Sequence, residues 1–327
     1  MNFNPILIVT GEPNSIFLEI FFKTLKSIKI KSPIILISSK KLLEMQMSKL
    51  KFKKKIKILQ ASKLNQYNLN NKSLNLLNVE YNPKTAFEKI SKKSNKFIQN
   101  SFNLAFEIIK KNSLKKFING PISKKQFLNK KFLGVTEYIS KEFSVEKTCM
   151  LIFNKKLSVC PITTHLPLKA VSKKINKKQI EQKVSLIDNF YKNKLKIKPR
   201  IAVLGINPHC ESVHKYNEDE EIVRPTINKL KKKYKISGPY SADTIFLKNN
   251  RKNFDVIIGM YHDQVLTPLK TLYEYDAINI TLGLPFIRIS PDHGPNERML
   301  GMNKSNPTSL LKAIQFLDKS WLKLRKV

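Results

Sequence analysis

Of the chain's five histidines, three follow an apolar run. The run ending in Thr163-Thr164 leads into His165, Ile201–Ile206 leads through Asn207-Pro208 into His209, and Val256–Met260 leads through Tyr261 into His262. Neutral imidazole ligates zinc and other divalent transition metals, and three protein ligands leave a position open for substrate or water. Three strand-end histidines, scarce elsewhere, could converge on one ion even though they lie far apart in sequence. A local hydrogen bond also satisfies a strand-end histidine, so the pattern alone leaves a ligand set and three separate residues on level terms. Asp243 and Asp263 are carboxylates that could orient the rings from behind, or cap a helix or turn. His214 lies in a polar loop and reads as solvated. His293, in Ser290-Pro291-Asp292-His293-Gly294, reads as structural or as a ligand contact.

Around these residues, apolar runs alternate with longer amphipathic stretches, the signature of α/β architecture. Strands are predicted at Ile6–Thr10, Ile34–Ser38, Lys116–Asn119, Met150–Phe153, Leu157–Thr163, Arg200–Ile206, Val256–Met260 and Ile278–Leu282. Helices are predicted at Ser15–Ile28, Ala86–Lys111, Lys177–Lys192, Glu220–Lys233 and Pro307–Leu324. Residues 39–80, rich in Lys, Asn and Leu, read as a helix-and-strand excursion. Pro and Gly follow several strands, as in Gly11-Glu12-Pro13, Gly120-Pro121, Asn207-Pro208 and Gly283-Leu284-Pro285. Open α/β sheets bind ligands at the carboxyl ends of their strands, so chemistry is expected on those loops.

The nine glycines include no G-x-G pair. That removes the Rossmann dinucleotide fingerprint and the phosphate loop, and the G-x-S-x-G elbow of many hydrolases is missing too. The net charge of +37 comes almost entirely from lysine spread along the chain, with arginine only at 200, 224, 251, 288, 298 and 325. No basic stripe is interleaved with aromatics, so the charge reads as a solvated surface that draws anions rather than as a nucleic-acid site. No run reaches the ~18 apolar residues of a membrane span. Residues 5–10 read as a strand rather than a signal peptide, and three cysteines without C-x-x-C spacing fit a reducing cytoplasm.

A set of motifs then appears in order: Gly11-Glu12-Pro13; Asn119-Gly120-Pro121 with Lys124; Gly134-Val135-Thr136-Glu137; and Thr163 to Leu168. Asn207-Pro208-His209, Ala242-Asp243-Thr244, Met260 to Gln264, and Asn279 to Arg288 complete it. From about residue 6 to the C-terminal helix, the chain resembles the 4-hydroxythreonine-4-phosphate dehydrogenase family of the pyridoxine 5′-phosphate pathway. The resemblance implies a two-domain α/β/α fold similar to isocitrate and isopropylmalate dehydrogenases, with a cleft between the domains and no Rossmann fingerprint. Residues 1–130 with 270–327 are expected to form one domain, and 131–269 a second that carries most of the metal site.

The same resemblance implies a cytoplasmic homodimer with a metal site shared between subunits. Its ligands would be His165, His209 and His262, holding Zn, Mg, Co or Mn. Lys270, Asn279, Arg288 and Thr136 would contact substrate, and Asp243, Asp263 and Lys270 would serve catalysis. The implied reaction is metal-assisted oxidation of 4-phosphooxy-L-threonine by NAD or NADP. The resulting β-keto acid loses CO₂ to give 3-amino-1-hydroxyacetone 1-phosphate. Lys270 also reads as a surface cation, whereas Arg288 ends an apolar run in a chain with few arginines.

The chain departs from the family at Val135, where a histidine is usual, at Asn14 to Leu18, at Cys210 to Asn217 and at Pro295-Asn296. These departures define a second reading, a dehydrogenase for another phosphorylated hydroxy acid of the threonate or erythronate type. A third, an inactive polyanion-binding paralogue, rests on the charge. It requires nucleic-acid affinity with a steep salt dependence. Salt-titrated binding to duplex DNA and to RNA is expected to show no such affinity.

Overall fold

The computed structural model describes residues 4–112, 114–128, 132, 134–214 and 216–318; it leaves out the side chains of Lys124 and Lys125 and the part of the expected C-terminal helix beyond residue 318. The chain divides into two compact units, Met1–Phe143 with Pro285–Val327, and Ser144–Leu284.

The first unit opens with β1 (Ile6–Val9), α1 (Phe17–Ser27), β2 (Ile34–Ser38), α2 (Lys40–Lys49), β3 (Ile56–Ile58), β4 (Leu74–Asn78), α3 (Asn95–Asn112), β5 (Lys116–Asn119) and α4 (Val135–Glu142). The second contains β6 (Cys149–Phe153), β7 (Ser158–Thr163), α5 (Lys177–Phe190), β8 (Ile201–Leu204), α6 (Arg224–Leu230), β9 (Ile236–Tyr240), α7 (Ala242–Ile245), α8 (Lys248–Arg251), β10 (Val256–Tyr261), α9 (His262–Tyr273) and β11 (Ile278–Leu282). The chain then returns to the first unit with β12 (Ile287–Pro291) and α10 (Thr308–Leu317).

Strands of the first unit run β3-β4-β2-β1-β5-β12, every pair parallel. All four residues of β1 and all five of β2 are buried, as a parallel sheet covered on both faces requires. In the second unit the order is β11-β6-β7-β10-β8-β9. There β6 is antiparallel to both neighbours, while β7, β10, β8 and β9 are mutually parallel. Helix α9 packs on β7 and β10, and Val265, Leu266 and Leu269 enter a core with Val159, Ile257 and Leu204.

The expected strands all form, with ends shifted by a residue or two. Strands β3 and β4 lie within the helix-and-strand excursion expected at residues 39–80, whereas β9 and β12 were not expected. The Gly238-Pro239 pair inside β9 carries the composition of a turn. The helix expected from Ala86 starts only at Asn95, because side chains capture the amides before it: Glu88 N–H donates to Asn14 Oδ1 (2.9 Å) and Ile90 N–H to Glu297 Oε1 (2.9 Å). Helix α2 lies within that excursion too; α4, α7, α8 and α9 were not expected, and α9 contains Pro268, which normally ends a helix.

The unit boundaries place residues 131–143 with the first unit and 270–284 with the second, unlike the expected division. Packing explains both shifts. Tyr138 of α4 sits edge-on to Phe102 of α3, at 5.7 Å between ring centroids. Strand β11 pairs along its whole length with β6.

Where β1 ends, Glu12 turns inward and is 1% exposed. Its Oε1 accepts from Asn14 N–H (3.2 Å) and its Oε2 from Ser94 Oγ (3.0 Å), with no cation in the group. Burial raises the carboxyl above its ordinary range and Glu297 adds to this, while the two hydrogen bonds oppose it. A carboxyl raised in the folded state holds its proton more tightly there than in the unfolded chain. Its stabilising contribution is therefore complete below the ordinary carboxylate range and is lost as pH rises through the raised value. Glu12→Gln keeps the shape and removes the titration. Urea unfolding is expected to show the variant more stable than wild type at neutral pH, with the difference closing by roughly pH 4.

Candidate active site

In the second unit, four parallel neighbours deliver their following residues to one edge. His165 comes two residues after β7, His262 directly after β10, His209 in the short turn Pro208–Cys210 beyond β8, and Asp243 in the first turn of α7 beyond β9. Since the strands lie in the order β7-β10-β8-β9, the three histidines and Asp243 stand along the same carboxyl edge. The rings of His165 and His262 are 6.1 Å apart between centroids. His209 and Asp243 are exposed.

Both His165 (φ 44°) and His209 (φ 57°) occupy the left-handed region, as does Cys210 (φ 62°). Non-glycine residues adopt that conformation at a cost of about 1–3 kcal/mol and concentrate at functional sites. Beside His262, Asp263 Oδ1 lies 2.6 Å from Nδ1. A proton held on Nδ1 by that carboxylate leaves Nε2 with its lone pair outward, the tautomer a metal ligand needs.

The residue types and this tautomer fit a divalent ion. Two imidazoles sharing a tetrahedral ion, each nitrogen about 2 Å from it, place their ring centroids roughly 5–6 Å apart. The His165–His262 spacing is close to that. Among the described residues, no three His, Cys, Asp or Glu side chains stand near enough together to form a closed ligand shell. The chain thus brings two rings together and puts the third on the same edge.

Lys270 lies in the last turn of α9, two turns on from His262, and is half-buried. Asn279 projects from β11, with Oδ1 buried and meeting no donor from the described residues. His214 is exposed, as expected. His293 belongs to the first unit, where Nδ1 lies 3.0 Å from the Gly294 carbonyl and the ring faces Phe17.

The first unit brings Thr136 and Arg288 together. Arg288, on β12, is 2% exposed. Its Nε donates to Asn119 Oδ1 (2.7 Å) and its Nη1 to Thr136 Oγ (3.0 Å). Ser290 Oγ, two residues along the same strand, also donates to Asn119 Oδ1 (3.2 Å). Burial pushes the guanidinium down to about 10, opposed by the charge of Glu137, so Arg288 stays cationic at neutral pH. Glu137 Oε2 is itself buried with no donor from the described residues. Asn119, Ser290 and Glu137 had no assigned role in the sequence reading. The available signal was Asn119-Gly120-Pro121, a polar residue and a turn at a strand's carboxyl end.

Imidazoles and carboxylates along the carboxyl edge of parallel strands mark an α/β protein of the class that binds its ligands at that edge. Comparison with known proteins gives the family. The profile of the pyridoxal phosphate biosynthetic protein PdxA matches residues 29–317, and the chain belongs to that family. A 4-hydroxythreonine-4-phosphate dehydrogenase of a Sulfurihydrogenibium species is 36% identical over 326 residues, covering 95% of this chain and 96% of the relative. A D-threonate 4-phosphate dehydrogenase of Pectobacterium atrosepticum is 36% identical over 184 residues, 56% of each chain. Among solved structures, a 4-hydroxythreonine-4-phosphate dehydrogenase from Klebsiella pneumoniae superposes with a TM-score of 0.81 at 25% identity, covering 96% of this chain and 98% of that one.

A lysine at position 288 has one compact ammonium where the guanidinium offers a fork, and it cannot serve Asn119 and Thr136 in the same geometry. Arg288→Lys is expected to lower stability by about 1–3 kcal/mol in urea unfolding. An unchanged midpoint would show that the fork is not what anchors these groups.

Proposed function

We propose that this chain oxidises the secondary alcohol of 4-phosphooxy-L-threonine, with NAD or NADP as hydride acceptor, in the formation of pyridoxine 5′-phosphate. The reading is carried by a 4-hydroxythreonine-4-phosphate dehydrogenase that aligns over nearly its whole length with this chain. The edge of strand-end histidines supports it. His165, His209 and His262 would hold a divalent ion, which supplies Lewis acidity toward the alcohol and the carbonyl that replaces it. Asp263 fixes the tautomer of His262, and Asp243 stands at the same edge as a second orienting carboxylate.

In the reaction the C3–H hydride goes to the nicotinamide and the hydroxyl proton to solvent. The β-keto acid then loses CO₂, and the electron pair of the broken C–C bond is protonated at carbon, giving 3-amino-1-hydroxyacetone 1-phosphate. Lys270 supplies positive charge for the carboxylate or phosphate, and the unmatched Oδ1 of Asn279 accepts from a substrate N–H or O–H. Arg288, bonded to Thr136, would also supply positive charge for the carboxylate or phosphate, with Thr136 contacting the substrate. The working unit is a homodimer with the metal site shared between subunits. A reducing, cytoplasmic setting accords with three buried free thiols, and none of the described helices is long and apolar enough to cross a membrane.

A second substrate is favoured by two observations. One relative is a D-threonate 4-phosphate dehydrogenase. Val135 opens α4 directly beside Thr136, whose hydroxyl meets Arg288, and puts an apolar group there. Appearance of the 340 nm absorbance with 4-phosphooxy-L-threonine and with D-threonate 4-phosphate decides between them. The expected result is turnover of the first, abolished by a chelator, restored by added divalent metal and lost in His209→Ala. Faster turnover of the threonate would establish the second reading, and no turnover of either by metal-loaded protein with both nucleotides would end both.

A further inference from the structure

Pairing between β8 and β10 ends at Val203 and Ile258. Beyond those residues the two chains still carry amide groups toward one another, and they lead to His209 and His262. Side chains replace the missing ladder. Gln264, in the first turn of α9, accepts from Met260 N–H at Oε1 (2.7 Å) and donates from Nε2 to the Gly205 carbonyl (2.8 Å). It forms one more rung between the strands. On the other side of β10, Thr163 Oγ donates to the Met260 carbonyl (2.7 Å). Asp219, wholly buried, accepts from the backbone N–H groups of Ile206 (2.8 Å) and Asn207 (2.9 Å) and from Asn207 Nδ2 (3.1 Å).

Two glycines make room for these groups. A Cβ at Gly259 would lie 2.4 Å from Val265 Cγ1 and 2.9 Å from Gln264 Oε1. One at Gly205 would lie 2.8 Å from Cys210 Sγ and 3.0 Å from Asp219 Oδ1. Each strand that leads to a brace therefore has a glycine where the brace enters.

We propose that Gln264 and Asp219 are positioning residues that set where His262 and His209 stand at the carboxyl edge. Neither is assigned a bond to a histidine ring; both act through the backbone that carries the rings. The inference rests on the metal reading above for its effect on an ion, and on the hydrogen bonds alone for its effect on the rings.

The test uses the full-length protein with Co²⁺ as the probe, in wild type, Gln264→Met, Asp219→Asn and Tyr191→Phe. Gln264→Met removes both ends of the rung, and Asp219→Asn turns one acceptor into a donor that faces an N–H. Tyr191→Phe is the control. It removes hydrogen bonds from Tyr191 Oη to Ser158 Oγ (2.8 Å) and the Asp255 carbonyl (3.3 Å), at the opposite ends of β7 and β10. Chelator competition is expected to show Co²⁺ bound about 10–100-fold more weakly by the two brace variants and unchanged in the control. The visible absorption of the bound cobalt should also shift. In metal-free protein, the ring proton signals of His262 and His209 are expected to move in Gln264→Met while that of His293 stays. Unmoved ring signals, with no more than the general destabilisation of Tyr191→Phe, would overturn the proposal. If wild type binds no Co²⁺, the metal reading falls, and the ring signals alone decide the positioning role in either direction.

Discussion

A parallel ladder stops before the chemistry starts. In the second unit β8 and β10 cease to pair at Val203 and Ile258, while the histidines lie four to six residues further on. Backbone groups that leave a sheet inside a protein must find other partners, because a buried unpaired amide or carbonyl costs about 1–3 kcal/mol. Gln264, Thr163 and Asp219 meet that need, and they do so at the ends of the strands that lead to His165, His209 and His262. Satisfying the backbone and placing the imidazoles are one structural act here. The backbone at His165 and His209 stands in the left-handed region, against its local preference.

The first unit meets a different constraint, a cation taken out of water. Arg288 is wholly enclosed, and burial weakens its hold on the proton without removing the charge. Neutral acceptors rather than a paired carboxylate receive its Nε and Nη1 donors: Asn119 Oδ1 and Thr136 Oγ. Nearby Glu137 adds a favourable field. The planar fork is fixed on both of these acceptors at once, which a compact ammonium could not reproduce.

The loop after β1 is ordered by one polar side chain. Asn14, after Gly11-Glu12-Pro13, donates to Tyr81 Oη (3.4 Å) and accepts from the amide of Glu88 (2.9 Å), and its own N–H meets Glu12. By accepting from Glu88 N–H it also takes that amide out of reach of a helix continuing back from α3. The heavy lysine content leaves the cores of both units apolar.

The sequence by itself determined the alternation of strands and helices, the placement of three histidines after strands, and the absence of a dinucleotide fingerprint. These are local properties, carried by periodicity, turn residues and scarcity, and they survive in any α/β arrangement. Recognition of Thr136, Asn279 and Arg288 came from ordered motifs and not from their chemistry. Only tertiary structure decided that β7, β10, β8 and β9 are neighbours, and hence that His165, His209, His262 and Asp243 share an edge. It alone showed that Asn119 and Thr136 meet Arg288 across 152 to 169 residues of chain. It also turned Gln264, the last residue of Met260 to Gln264, into a rung between strands. Strand order and side-chain partners at long range depend on which surfaces pack together, and no window of sequence contains that information.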